Sequence, residues 1–203
     1  MEPNKTCVYV TALPKYKPIG QLECRERQIE IDSASSEKIK REKYFVWKLL
    51  CYALRENLDI GDEKLNFVKQ SYGGWSLEGI NFSLSHSGDA LAVAVSSSPV
   101  GIDIERIQPT RSARIAQRIM NGAELIEFEK TPVGEREKRF IEIWTAKEAI
   151  FKSKHISAFI PHEHDTLTEF FRTYCVEVDG QSYVLSLATE STDEICFFEN
   201  IEL

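Results

Sequence analysis

The residues best suited to chemistry are two carboxylates at strand spacing, Asp103 and Glu105, within Gly101-Ile102-Asp103-Ile104-Glu105-Arg106. Side chains alternate along a strand, so Ile102 and Ile104 share one face and the two acids the other. Acids two residues apart sit roughly 6–7 Å apart along the backbone. Their oxygens can lean around one hard cation, because Mg²⁺ takes oxygen ligands at about 2.0–2.1 Å. Without a cation the two charges repel, and one carboxyl tends to stay protonated. Taken alone, the segment is better read as a half-buried strand with a wet acidic face.

A second informative stretch is Trp144-Thr145-Ala146-Lys147-Glu148-Ala149-Ile150-Phe151-Lys152. Phe140, Ile143, Trp144 and Phe151 recur at helical spacing and mark a buried face. Glu148 falls one turn after Trp144, on or beside that face. It forms an i, i+4 pair with Lys152, either a structural ion pair worth about 0.2–0.5 kcal/mol or part of a site. A carboxylate bordering a core needs a cation or donors to offset its desolvation; a metal held by Asp103 and Glu105 would supply one. Lys147 points toward the apolar stripe, so its ammonium either snorkels out or meets an anion in a cleft. The third stretch, Ser85-His86-Ser87-Gly88, offers hydroxyls, an imidazole and turn amides, either an anion-binding nest or an ordinary hairpin corner. His162-Glu163-His164-Asp165 reads as an exposed polar loop rather than a metal cluster.

These residues must be positioned by the elements around them. Residues 7–12 read as an opening strand, followed by a loop with Arg25 and Arg27. A long helix then runs from an N-cap at Asp32 or Ser33 to about Asn57, striped by Tyr44, Trp47, Leu50, Cys51 and Leu54. Lys38, Lys40, Arg41 and Lys43 crowd its early turns, as on a solvated basic face. Residues 65–68 suggest a short strand, and Tyr72-Gly73-Gly74-Trp75 a turn. Residues 80–88 and 90–95 pair as a hairpin, and Ser96-Ser97-Ser98-Pro99 is the clearest break. Beyond the acidic strand lie a partly helical segment to Glu129, a helix over about 135–154, and strands at 174–178, 183–187 and 195–198. Asp179-Gly180 signals a hairpin turn. The expected fold is α+β. Two related halves, 1–100 and 101–203, each pack a small antiparallel sheet with a long helix.

The chain has 203 residues, 42% apolar and 28% charged, the balance of a globular protein. No apolar run approaches a membrane span and the first residues lack a signal-peptide pattern, so no membrane association is expected. Five scattered cysteines argue against a disulfide framework and for a reducing, cytoplasmic setting. A net charge of −7 disfavours nucleic acid as a partner. An anionic ligand must therefore meet a local cluster of cations.

The ordered triple Phe82-x-x-Ser85-His86-Ser87, Gly101-Ile102-Asp103-Ile104-Glu105 and Trp144-Thr145-x-Lys147-Glu148-Ala149-x-x-Lys152 resembles the surfactin-type 4'-phosphopantetheinyl transferases. The long helix and the strand-rich tail extend the resemblance over most of the chain. It implies an α/β pseudo-dimer with a cleft between its two similar halves where coenzyme A binds. It also implies an enzyme that moves 4'-phosphopantetheine from coenzyme A to a serine of an apo acyl or peptidyl carrier protein, with Mg²⁺, releasing 3',5'-ADP. Asp103, Glu105 and Glu148 match the metal carboxylates, and Glu148 also matches the base for the carrier serine. Lys152, with Lys147 beside it, matches the lysine on the diphosphate. Ser85 and His86 match the pair on the coenzyme's phosphates, with Lys43 or Arg41 of the long helix serving the same purpose and Arg25 and Arg27 as weaker candidates. Where many relatives read Gly-Lys-Pro, this chain has Gly73-Gly74-Trp75 and so lacks one coenzyme-facing cation. The alternative is a coenzyme A or carrier-protein binding protein impaired in catalysis. Carrier docking is expected near Arg106, Arg111, Arg114 and Arg118. Two halves in one chain build the cleft internally, so a monomer is expected.

Overall fold

A computed structural model describes residues 4–58, 65–109, 112–190 and 192–203, the side chains of 112–114 excepted. The opening strand β1 is Lys5–Ala12. The short helix α1, Arg25–Asp32, occupies the segment expected to be a loop. Its buried residues are Arg27, Gln28 and Ile31, so polar stems make most of its inward face and hydrophobic periodicity is silent there. The long helix α2, Glu37–Leu58, therefore starts later than expected. Ser36 Oγ accepts the Ile39 N–H at 3.3 Å, the geometry of an N-cap. Tyr44, Trp47, Leu50 and Leu54 are buried along it, as their spacing requires.

Two-residue strands β2, Val68–Lys69, and β3, Trp75–Ser76, flank the glycine turn. Then follow β4, Asn81–Ser87, β5, Ala90–Ser96, and the acidic strand β6, Gly101–Arg106. Helices α3, Ser112–Ile119, α4, Gly122–Glu129, and α5, Arg136–Ser153, precede a long connection. Strands β7, Arg172–Val178, β8, Gln181–Ala188, and β9, Glu194–Glu199, complete the chain. Asp179 and Gly180 both take positive φ (50° and 70°), as the tight turn between β7 and β8 demands.

The architecture is mixed α+β. One sheet runs β4-β5-β1-β9 and another β6-β8-β7, with β2-β3 a separate ribbon. Strand β9, last in the chain, pairs parallel with β1, the first. The edge strands β4 and β6 meet through a ladder of serines. Ser83, Ser85 and Ser87, spaced two apart and so facing one way, accept the N–H groups of Ile102 (3.0 Å), Ile104 (3.4 Å) and Arg106 (3.3 Å). Side-chain oxygens thus satisfy backbone donors at a junction that no main-chain ladder closes. Helix α5 lies against β6 so closely that a Cβ on Gly101 would stand 1.9 Å from the Ala149 carbonyl oxygen. The glycine that opens the acidic strand is what lets the two elements touch.

Candidate functional site

The serine ladder and the β6–α5 contact together build an acidic pocket. Ser85, His86, Asp103, Glu105, Glu148 and Lys152 line a space of about 310 Å³. Asp103 and Glu105 come from β6, the imidazole from β4, and Glu148 and Lys152 from successive turns of α5. Asp103 is 5% exposed; its Oδ1 accepts from Ser85 Oγ and from Lys152 Nζ, both at 2.7 Å. Its Oδ2 is buried and has no hydrogen-bond partner. Ser87 Oγ donates to Glu105 Oε2 at 2.6 Å. The face expected to be wet is therefore largely enclosed at Asp103, because β4 and α5 pack over it. Lys152 also reaches the Ile102 carbonyl (3.1 Å), so its ammonium sits on β6 rather than in the i, i+4 pair with Glu148.

Burial pushes the Glu148 carboxyl up to about 7, with the charges of Asp103 and Glu105 adding to it and Lys152 opposing. Burial likewise pushes Glu105 up, against its bond from Ser87. Burial lowers His86, against the charge of Glu42, whose Oε2 lies 3.7 Å from Nδ1. Burial first, and the crowding of three carboxylates second, thus disfavour the charged form of Glu148 in this pocket. Among the described residues, no group of three His, Cys, Asp or Glu side chains is arranged to hold a metal ion. The donor chemistry nevertheless suits a hard divalent ion: oxygens only, one of them buried and unpaired.

A larger pocket of about 510 Å³ opens beside the first, sharing Leu84 and Lys152 with it. Lys43 lines it, and so do Arg27 and Lys69. Arg41 does not. Its guanidinium donates to the carbonyls of Pro14 and Lys17 and lies 5.1 Å over the Phe45 ring, fastening the loop after β1. Arg25 is exposed. Lys147 points inward, as its spacing requires, but does not line the acidic pocket, where the resemblance set it beside Lys152. It is wholly buried and paired with Glu124 Oε2 at 2.7 Å, and it donates to the carbonyls of Pro161 and His164. Burial raises the Glu124 carboxyl, but Lys147, Thr166 and the α4 cap outweigh it and hold the group below its usual range. Lys147 is a structural anchor, out of the acidic pocket. His164, read as exposed, is buried and stacked on Phe159 (centroids 5.7 Å apart). Ser85, matched to phosphate contact, has its hydroxyl engaged by Asp103 and the Ile104 N–H. Of the expected docking arginines, Arg106 pairs with Gln181 and Arg118 is exposed, whereas Arg111 and the side chain of Arg114 lie outside the described residues.

Residues 99–192, which carry every acid of the pocket, match the model of the 4'-phosphopantetheinyl transferase superfamily. Over this segment the chain is similar to that superfamily. It is 34% identical over 105 residues to the 4'-phosphopantetheinyl transferase gsp of Aneurinibacillus migulanus, covering 51% of this chain and 44% of that protein. It is 43% identical over 72 residues to psf-1 of Bacillus pumilus, covering 36% and 30%. Against a 4'-phosphopantetheinyl transferase of Bacillus subtilis it is 27% identical over 161 residues, 68% of each chain. The match spans less than half the length of the first two relatives. The superfamily match ends before β9 and begins after β5, so the cations of the larger pocket, Lys152 excepted, come from outside it. Among the described residues, no helix is long and apolar enough to cross a membrane.

Proposed function

We propose that this protein transfers the 4'-phosphopantetheine group from coenzyme A to a serine hydroxyl of an apo acyl or peptidyl carrier protein, releasing 3',5'-ADP. The observation that carries this reading is the convergence of Asp103, Glu105, Glu148 and Lys152 on one pocket beside a second pocket rich in cations. The relatives named above, each a 4'-phosphopantetheinyl transferase, support it. The chain reads as two α+β halves, 1–100 and 101–203, with the coenzyme in the cleft between them, except that β9 of the second half crosses over to complete the sheet of the first, parallel to β1.

Asp103, Glu105 and Glu148 would hold Mg²⁺, which when bound supplies charge neutralisation at the diphosphate. Lys152 then faces the diphosphate from the same pocket and steadies the charge that builds there. Glu148, which lines the same pocket, accepts the proton of the carrier serine. Lys43 and His86 hold coenzyme phosphates. Ser85 acts through Asp103, donating to the oxygen that Lys152 also holds. Phosphoryl-type transfer needs little more than such positioning and neutralisation. The acidic chain and the polyanionic coenzyme are thereby reconciled, since the acids and the cations face different parts of the site.

The test is mass spectrometry of apo acyl and peptidyl carriers incubated with coenzyme A and Mg²⁺. The expected result is a phosphopantetheine adduct on the carrier, lost with chelator and reduced at least about a hundredfold in Glu148→Gln. Adduct formation by Glu148→Gln at the wild-type rate would overturn the assignment of the base. Binding of coenzyme A with no adduct on any carrier would favour the impaired binding protein instead.

A further inference from the structure

The parallel ladder that joins the two ends of the chain sets one thiol against another. Cys7 of β1 and Cys196 of β9 are register partners in it. Neighbouring strands lie about 4.8 Å apart, inside the range of roughly 4.4–6.8 Å between Cα atoms that a disulfide spans. Both side chains point to the same side of the sheet. Cys7 belongs to the core beneath α2 and Cys196 packs against that core, whereas their neighbours Val8, Ile195 and Phe197 face the other sheet. Two residues further along the same face, the register partners Tyr9 and Phe198 stack with ring centroids 4.7 Å apart, so side chains opposed on this face do meet. The two thiols differ in access. Cys7 is 1% exposed, while Cys196 is only partly buried and lies on the outer strand of its sheet. An accessible thiol with a sealed one opposite is the arrangement of an attacking and a resolving cysteine.

We propose that Cys7 and Cys196 form a reversible disulfide that locks the last strand of the chain to the first when the surroundings turn oxidising. The co-reactant is a low-molecular-weight disulfide such as glutathione disulfide. The Cys196 thiolate, its proton passed to solvent, attacks one sulfur of that disulfide; the S–S bond breaks and one glutathione thiolate leaves. The Cys7 thiolate, likewise deprotonated, attacks Cys196 Sγ, and the second glutathione thiolate leaves. Two protein thiols are thereby oxidised by two electrons, and one disulfide is reduced to two thiols that take up the two protons. The cross-link closes a loop of nearly the whole chain, and the entropy it removes from the unfolded state grows with loop length. Strand β9 lies at the opposite edge of its sheet from β4, which brings Ser85 and His86 to the acidic pocket, so the link tightens the scaffold without entering the site. Both cysteines lie outside residues 99–192, so the superfamily match does not account for the pair.

The experiment treats the full chain with glutathione disulfide, quenches with an alkylating reagent and maps linked peptides by mass spectrometry without reduction. Melting temperatures are recorded before and after dithiothreitol. One intramolecular Cys7–Cys196 link is expected, with a melting temperature about 5 °C or more above that of the reduced protein, and dithiothreitol should reverse both. Cys196→Ala should lose the link and the shift, and its place on an edge strand keeps the test independent of whether the buried Cys7 position tolerates change. In Cys7→Ala, a mixed disulfide with glutathione should remain trapped on Cys196; its absence would remove Cys196 as the attacking thiol. No link between the two cysteines would overturn the proposal. So would a link formed instead between Cys24 and Cys51, which share a small pocket, or a covalent dimer through the exposed Cys175. A Cys7–Cys196 link that leaves the melting temperature unchanged would overturn the locking role. None of these measurements involves coenzyme A or a carrier, so their outcome is independent of the transferase activity.

Discussion

Lys147 and Glu148 are neighbours in sequence with opposite fates. One residue step turns a side chain by about 100° around a helix, which here separates a buried ion pair with Glu124 from the mouth of the acidic pocket. A buried pair of this kind has its desolvation offset only by close partners, and Lys147 has three. Among the described residues Glu148 has no such partner, and burial pushes it up to about 7 from 4.5. A carboxyl whose folded pKa is raised contributes stability that is full below about pH 4.5 and is lost as pH rises through about 7. Without divalent ion, the wild-type melting temperature should therefore fall across this window relative to Glu148→Gln. The comparison with the variant matters because His86 and His164, both lowered by burial, act in the opposite direction. Parallel pH profiles for the two proteins, measured by calorimetry in chelator, would refute the assignment.

At the scale of elements, the site depends on how near α5 can come to β6. Gly101 is the point of closest approach: a methyl group there would meet the Ala149 carbonyl at 1.9 Å and the Ser153 nitrogen at 2.6 Å. Both are backbone atoms of a helix, so neither yields cheaply. Gly101→Ala should cost about 3 kcal/mol in urea unfolding and should displace Glu148 and Lys152 from Asp103, so that any carrier modification falls by more than stability alone explains. Wild-type unfolding in this variant would mean that the close approach is not needed. The serine ladder acts on the other flank of β6. Its hydroxyls serve twice, satisfying β6 amides and donating to the Asp103 and Glu105 carboxylates. Strand alternation made the facing of these serines legible in the sequence; their partners were not, because edge-to-edge contact between two sheets leaves no local period.

At the scale of the whole molecule, the chain closes on itself. Strand β9 lies beside β1, and Asp193 just before it gathers hydroxyls from distant segments. Thr6 and Thr189 donate to Asp193 Oδ2 at 2.8 and 2.6 Å, while Ser96 Oγ lies 3.4 Å from the same oxygen. Asp193 is 4% exposed. Asp193→Ala leaves these hydroxyls short of an acceptor and should cost about 2–3 kcal/mol, which lowers the melting temperature of a chain this size by about 6 °C or more. Because the clasp is remote from the acidic pocket, carrier modification below the melting temperature should be largely retained. An unaltered melting temperature would show that water replaces the carboxylate without cost.

Order and spacing along the chain were enough to put Asp103 and Glu105 on one face of a strand and Glu148 and Lys152 on one helix, because alternation and helical stripes are local properties that survive in any packing. They were not enough to sort the cations. Arg41, Lys43 and Lys147 look alike in a list of basic residues, yet one fastens a loop, one faces the larger pocket and one is sealed inside with Glu124. Arg27 and Lys69, which lie outside the family's blocks, enter the larger pocket only because α1 and a two-residue ribbon fold against the same wall. A charge does its work through the few ångströms around it, and which groups share those ångströms is decided by tertiary contact alone.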